Sequence, residues 1–125
     1  MSDIERMVRE FHEAFSIPIR STPAADIGES DLRVRLLREE VDEYTEAVES
    51  LDVVEIADGL ADIVYVVFGT ALAHGIDLDS VLEEVHRSNM SKLGEDGQPL
   101  FREDGKVIKG PQYFRPDIAR VLGLR

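Results

Sequence analysis

Apolar residues recur at helical spacing through most of the chain. Ile4, Met7, Val8, Phe11 and Phe15 fall three and four apart, which predicts an amphipathic helix over residues 3–15. The stretch SIPIRSTPAADIGES holds two prolines and a glycine and ends beside Asp31, so it reads as a loop delivering a helix N-terminus near Ser30 or Asp31. A second helix then runs to about Leu51. A third, from Val53 to Ala73, is apolar almost all the way round, the mark of a buried helix. Its VYVVF segment has the composition of a strand, but the pattern runs unbroken for too long to be one. His74-Gly75 closes it, because glycine accepts the left-handed backbone of a helix end. Asp77 or Asp79 opens a fourth helix reaching about Ser91, and Ser80 and Glu83 have the spacing of a capping box. Beyond Leu93 turn residues dominate. Glu103-Asp104-Gly105-Lys106, between PLFR and VIKG, predicts a small hairpin, and a short helix follows Pro116. The expectation is an all-α fold in one domain over residues 1–125. Its four-helix bundle spans about 3–93, and an irregular tail covers 94–125.

Composition narrows the function. A chain of 125 residues that is 43% hydrophobic and 32% charged can bury a core and is not of disordered composition. The most apolar run, Ile63 to Leu72, is short for a bilayer span, and MSDIERMVRE lacks the basic-then-apolar pattern of an export signal. No membrane partner and a cytoplasmic location are therefore expected. The absence of cysteine removes disulfides, thiolate zinc sites and thiol nucleophiles together. Twenty-six acids against fourteen bases give a net charge of −12, which argues against a phosphate-neutralising surface for nucleic acid. The charge is also uneven. Between Glu39 and Asp62 stand ten acids and no Lys or Arg, whereas all three lysines, Lys92, Lys106 and Lys109, lie in the last third.

Helical geometry turns the acidic stretch into candidate chemistry. On the second helix Glu40 falls inside the apolar arc, Glu43 on its edge and Glu39 one step further out, while Asp42, Glu46 and Glu49 occupy the opposite, solvated side. On the third helix Glu55, Asp58 and Asp62 share a stripe that becomes apolar at Tyr65 and Val66, so Asp62 is expected to lie deepest. Carboxylates facing a core must be protonated, paired with arginine (Arg33, Arg35 or Arg38), or joined by a metal. A hard divalent cation with oxygen ligands satisfies several at once.

REEVDEY followed by EIADGLADIVYVVFG resembles the all-α nucleoside triphosphate pyrophosphohydrolases, a superfamily that includes MazG proteins, dimeric dUTPases and phosphoribosyl-ATP pyrophosphohydrolase. Their signature is Glu-Glu-x-x-Glu on one helix and Glu-x-x-Asp on the next, binding magnesium. Glu39, Glu40 and Glu43 match the first half; aligned on Asp62, the second half has Gly59 where the family has Glu, with an acid one residue earlier at Asp58. The resemblance, closest to MazG-like proteins and covering most of residues 5–118, implies Mg²⁺ (Mn²⁺ possible) held by Glu40, Glu43, Asp58, Asp62 and Glu55. Glu39 is then the residue that orients or deprotonates water.

The fourth helix and the tail supply candidates for the substrate. Asn89 and Lys92 fall within the apolar arc of Leu78, Val81, Leu82 and Val85, and the related helix lines the substrate pocket in the resembling proteins. Lys106, Lys109 and Arg115 would neutralise a pyrophosphate leaving group, with Tyr113 and Phe114 flanking the ligand. His86 reads equally as a surface residue, and Phe11 and Phe15 read as core. The implied activity is hydrolysis of a (d)NTP to (d)NMP and pyrophosphate, in clearance of non-canonical nucleotides or dUTP. The alternatives are phosphoribosyl-ATP hydrolysis and a non-catalytic helical module with a structural cation. The all-round apolar third helix predicts a homodimer or a dimer of dimers.

Overall fold

The computed structural model describes residues 1–124. It is all-α, with α1 (Asp3–Ala14), α2 (Ser30–Glu49), α3 (Val53–His74), α4 (Leu78–Met90) and a single-turn α5 (Ile118–Val121). The chain divides into two compact units, Met1–Asp77 and the residues from Leu78 onward.

In the first unit α2 and α3 form an antiparallel hairpin. Arg33 bonds Thr70 near one end, while Tyr44 touches Gly59 nearer the turn, so residue numbers rise on α2 as they fall on α3. The turn between them has three residues, Ser50, Leu51 and Asp52. Leu51 adopts a left-handed φ of 55°, which stops α2 at Glu49 rather than at Leu51. The Asp52 carboxylate accepts from the backbone N–H groups of Val54 (3.0 Å) and Glu55 (3.3 Å), satisfying donors that the first turn of α3 leaves open. Gly75, with φ of 72°, ends α3 as the sequence predicts. The loop before α2 then covers this end. The N–H groups of Arg20 and Ala24 donate to Leu72 O (3.0 Å) and His74 O (2.9 Å), and the Arg20 guanidinium donates to Ala73 O (2.6 Å) while pairing with Glu29.

The starts of α2 and α4 fall where the sequence reading puts them, near Ser30 and directly after Asp77. α2 begins at Ser30 without a side-chain cap, because the Ser30 hydroxyl donates backward to Ile27 O (2.7 Å). α4 begins at Leu78, directly after Asp77, so Ser80 already lies in its first turn and the Ser80–Glu83 box does not start it.

Burial is narrower than the apolar pattern. The core comprises Val8, Ile27, Ala47, Phe68, Ala71, Leu72 and Ala73, so it gathers around the C-terminal half of α3. The N-terminal half of α3 is open, with Val53 75% and Val54 74% exposed, and Val34, Val41 and Val48 on α2 are also exposed. Phe11 and Phe15, read as core, stand 39% and 66% exposed and stack on one another at 4.5 Å. The Phe11 ring also meets Tyr65 edge-on at 5.6 Å. A chain with only α1 and α2 beside α3 in this unit has too few neighbours to cover every apolar side. At 22 residues and mean hydropathy 1.6, α3 is long and apolar enough to cross a membrane by length and composition, which the Ile63–Leu72 run alone did not reveal.

The second unit packs through polar groups. The buried residues of α4 are Glu84 and Ser88, one turn apart, rather than its apolar arc, whose Leu82 is exposed. The predicted hairpin is reduced to a single antiparallel bridge between Phe101 and Val107, flanked by Arg102 N–H to Lys106 O (2.8 Å) and Ile108 N–H to Leu100 O (2.9 Å). α5 follows Pro116, with the Asp117 side chain accepting from Arg120 N–H (3.3 Å).

The first unit also buries a base. His12 lies between α1 and α3, its Nδ1 3.3 Å from Pro18 O. A Cβ on Gly69 would stand 2.6 Å from Arg33 Nη2 and 2.8 Å from His12 Nε2, so both side chains occupy the space that Gly69 leaves. Burial holds the His12 pKa below its usual 6.5, against its bond to Pro18 and with help from the charges of Arg33 and Arg9. A base with a lowered folded-state pKa contributes stability that is complete above its ordinary pKa and lost as pH falls below it. The thermal midpoint of the wild type should therefore drop relative to that of His12→Gln between about pH 7 and pH 5. Parallel curves for the two proteins would contradict this.

Candidate active site

The acids of α2 and α3 meet where the hairpin is tightest. A Cβ on Gly59 would lie 3.2 Å from Tyr44 Cα, so the two helix backbones approach closely at this point. One turn toward the core, carboxylate oxygens of Glu40, Glu43 and Asp62 all lie within 4.8 Å of one another. Glu40 and Asp62 are half-buried and Glu43 is exposed. Among Glu55, Asp58 and Asp62, Asp62 alone is sheltered, as the helical wheel predicts.

Glu40 is the anomalous member. Its Oε2 is buried and has no hydrogen-bond partner. Burial, then repulsion from Glu43 and Asp62, a side-chain hydrogen bond with Glu43 and repulsion from Glu39 push its pKa above the ordinary carboxyl value. Pairing with arginine is not how the cluster is relieved. Arg33 turns into the core, donating to Thr70 Oγ1 (3.1 Å) and Val66 O (3.1 Å), and Arg35 and Arg38 are exposed. Three carboxylates, one of them with a buried and unsatisfied oxygen, match the demands of a divalent cation.

The remaining acids occupy different places. Glu39 is exposed and stands outside the three-carboxylate group, although its charge acts on Glu40. Glu55 and Asp58 line a cleft of about 250 Å³ with Glu43, Glu46 and Gly59. Asp58 thus faces the cleft rather than joining Glu40, Glu43 and Asp62. Glu46 was read from the wheel as simply solvated. It is exposed, yet it belongs to this cleft, and its position one turn from Glu43 was the available signal.

In the second unit Asn89 and Lys92 come together, as expected, in a pocket of about 340 Å³ completed by Met90, Leu93, Pro99 and Val107. Lys106, Lys109 and Arg115 are exposed and do not line it, nor does Tyr113. The Lys109 ammonium lies 4.8 Å from the centroid of the Tyr113 ring. His86 is exposed.

Paired helices present a Glu-x-x-Glu turn to an Asp, and the family match over residues 8–89 places this all-α protein in the nucleoside triphosphate pyrophosphohydrolase superfamily. Residues 8–89 match the phosphoribosyl-ATP pyrophosphohydrolase family, and the chain belongs to that family. The fold is similar to the crystal structure of a candidate NTP pyrophosphohydrolase from Exiguobacterium sp. 255-15, with a TM-score of 0.52 and 23% identity over 98% of this chain and 94% of that one. The uncharacterized protein L479 of Acanthamoeba polyphaga mimivirus is 32% identical over 107 residues, 82% of this chain. This chain spans 40% of the length of that viral protein.

The state of Glu40 gives a measurable sign. An acid whose folded-state pKa is raised contributes stability that is present below its ordinary pKa and lost as pH rises through the raised value. Metal-free protein should gain stability on acidification from neutrality relative to Glu40→Gln, in which that gain disappears. Adding Mg²⁺ at neutral pH to a hundred times its Kd should stabilise the wild type by about 2.7 kcal/mol. Melting curves unmoved by Mg²⁺ or Mn²⁺ would remove the metal reading.

Proposed function

We propose that the protein cleaves a nucleoside triphosphate between its α and β phosphates, giving the monophosphate and pyrophosphate, with Mg²⁺ or Mn²⁺ held by Glu40, Glu43 and Asp62. The observation that carries this reading is the buried, unpartnered Glu40 Oε2 inside a three-carboxylate cluster. A bound divalent cation supplies the positive charge that neutralises phosphate oxygens and makes water a better nucleophile. Glu39, exposed beside Glu40, is the carboxylate suited to orient the water and take its proton. Glu55 and Asp58, across the cleft from Glu43 and Glu46, offer oxygen donors for a further cation.

On the substrate side, the Asn89 amide can both donate to and accept from a base or sugar, and Lys92 offers a point charge to phosphate. Lys106, Lys109 and Arg115 carry the remaining charge suited to a pyrophosphate leaving group, and Tyr113 offers a ring face. The biological role that accords with the family likeness is clearance of non-canonical nucleotides or dUTP, in the cytoplasm. The match over residues 8–89 favours phosphoribosyl-ATP as a second substrate reading. Gly59 at the position of a family carboxylate favours a third, a non-catalytic module with a structural cation.

A panel of nucleoside triphosphates and phosphoribosyl-ATP, incubated with Mg²⁺ or Mn²⁺ and assayed for released pyrophosphate, separates these readings. Turnover of a triphosphate that falls on the order of a hundredfold in Glu40→Gln and Asp62→Asn, with helicity intact, is the expected result. Turnover of phosphoribosyl-ATP alone would transfer the assignment to that substrate. Cation binding without any turnover would leave the module.

Assembly belongs to the same proposal. Val34, Val41 and Val48 recur every seven residues on α2 and are exposed, and Val53, Leu60 and Val64 on α3 are exposed as well. A second copy of the chain, related by a two-fold axis, would cover these rows, as a homodimer or within a dimer of dimers. Light scattering on dilute protein should give a mass of at least twice 14.0 kDa, and Val41→Glu combined with Val64→Glu should reduce it to one chain. A wild-type species at the single-chain mass would refute the dimer.

A further inference from the structure

The interior of the second unit is organised around one charge. Glu84, on α4, is only 5% exposed and lies eight residues before Lys92, which follows the end of the helix. Its carboxylate accepts from Arg87 Nε (3.0 Å) and Nη2 (3.2 Å), from the backbone N–H of Asp117 (2.6 Å), and from Arg120 Nη2 (3.4 Å). These bonds hold its pKa below the usual carboxyl range, Arg87 contributing most, so the charge persists at neutral pH. Ser88 on the same helix, and Ser91 and Lys92 just past its end, continue the contact with the tail. The Ser88 hydroxyl donates to Phe114 O (2.8 Å), the Phe114 N–H donates to Ser91 Oγ (3.1 Å), and the Gly110 N–H donates to Lys92 O (2.8 Å). The Arg87 guanidinium, already fixed by Glu84, lies 4.4 Å over the Phe114 ring. Gly110 is required where it stands, because any Cβ would collide with the carbonyl oxygens of Leu93 and Lys92.

The consequence concerns the pocket of Asn89 and Lys92. Two of its walls, Pro99 and Val107, belong to the loop between α4 and Gly110. That loop is fixed at one end by α4 and at the other by the bonds that Lys92, Ser88, Ser91 and Glu84 make to residues 110–117. Neutral hydrogen bonds alone would leave a tail of Gly, Pro and turn residues weakly anchored, since each contributes less than a bond to a charged group. We infer that Glu84 is a positioning residue: its buried carboxylate clamps the tail through Arg87, Arg120 and the Asp117 N–H, and so builds the wall of the Asn89–Lys92 pocket. It touches no substrate itself. The inference rests on the reading of that pocket as a phosphate-binding element of a pyrophosphohydrolase.

Two measurements on the whole protein test it. The first is limited trypsin digestion, followed by the rate of cleavage after Lys106 and Lys109. Glu84→Gln keeps the shape and removes the charge, and Arg87→Gln breaks the clamp from a side chain that is 58% exposed. Both should be cut there at least tenfold faster than the wild type, with cleavage after Arg6 and Arg9 unchanged. The second is calorimetric binding of inorganic pyrophosphate in Mg²⁺, which should weaken about tenfold in both variants and recover in Glu84→Asp, where the charge is kept. Unchanged cleavage, unchanged affinity, or equal loss in the Gln and Asp variants would each overturn the clamp. Failure of the wild type itself to bind pyrophosphate would instead overturn the pocket reading on which it stands.

Discussion

Three like charges held within 4.8 Å on facing turns of α2 and α3 are the constraint to which the first unit answers. Left alone, they would drive the two helices apart, and the helices stay together because contacts on both sides of the cluster fix their register. Toward the turn, Gly59 lets the α3 backbone rest on Tyr44, and Leu51 and Asp52 reverse the chain in three residues. Toward the other end, Arg33 reaches across to Thr70 and Val66 O. The repulsion is thereby stored in a rigid frame. Donors fixed before a ligand arrives do not have to be ordered when it binds, which is the advantage of a preorganised site.

The treatment of other buried polar groups makes Glu40 stand out. Glu84 has four donors, His12 has the Pro18 carbonyl, Arg33 has two oxygens, and Glu5 pairs with Arg9 at 3.0 Å. Arg9 Nε is unpartnered, but that guanidinium is served through Nη2. A fold that satisfies these groups and leaves one carboxylate oxygen both buried and orphaned has placed its exception among two further acids. Buried polar groups without partners carry a penalty of about 1–3 kcal/mol, more when charged, which a bound cation would relieve.

Gly59 shows how one position can serve packing instead of ligation. In the resembling proteins a carboxylate stands there; here the residue lets the α2 and α3 backbones approach closely, and a side chain would press on Tyr44 Cα. Replacing it would disturb the helix spacing on which the three carboxylates depend. The acids that remain nearby, Glu55 and Asp58, face the cleft shared with Glu46.

Much of this was legible in the residues themselves. Periodicity located all four long helices, Gly75 marked the end of α3, and the wheel placed Glu40 and Asp62 inward, because 3.6-residue geometry and the left-handed tolerance of glycine are local properties. Local properties could not say how much of an apolar face has a neighbour. Phe11 and Phe15 read as core and are exposed, since burial depends on how many helices lie alongside. Nor could they reveal that α4 packs through Glu84 and Ser88: a charged residue on a helix reads as solvated until the Asp117 N–H and Arg120, 33 and 36 residues away, are brought to it. The sequence determined which helices form and which acids turn inward. Only the tertiary structure decided which polar groups find partners, because those partners lie far off along the chain and no periodicity links them.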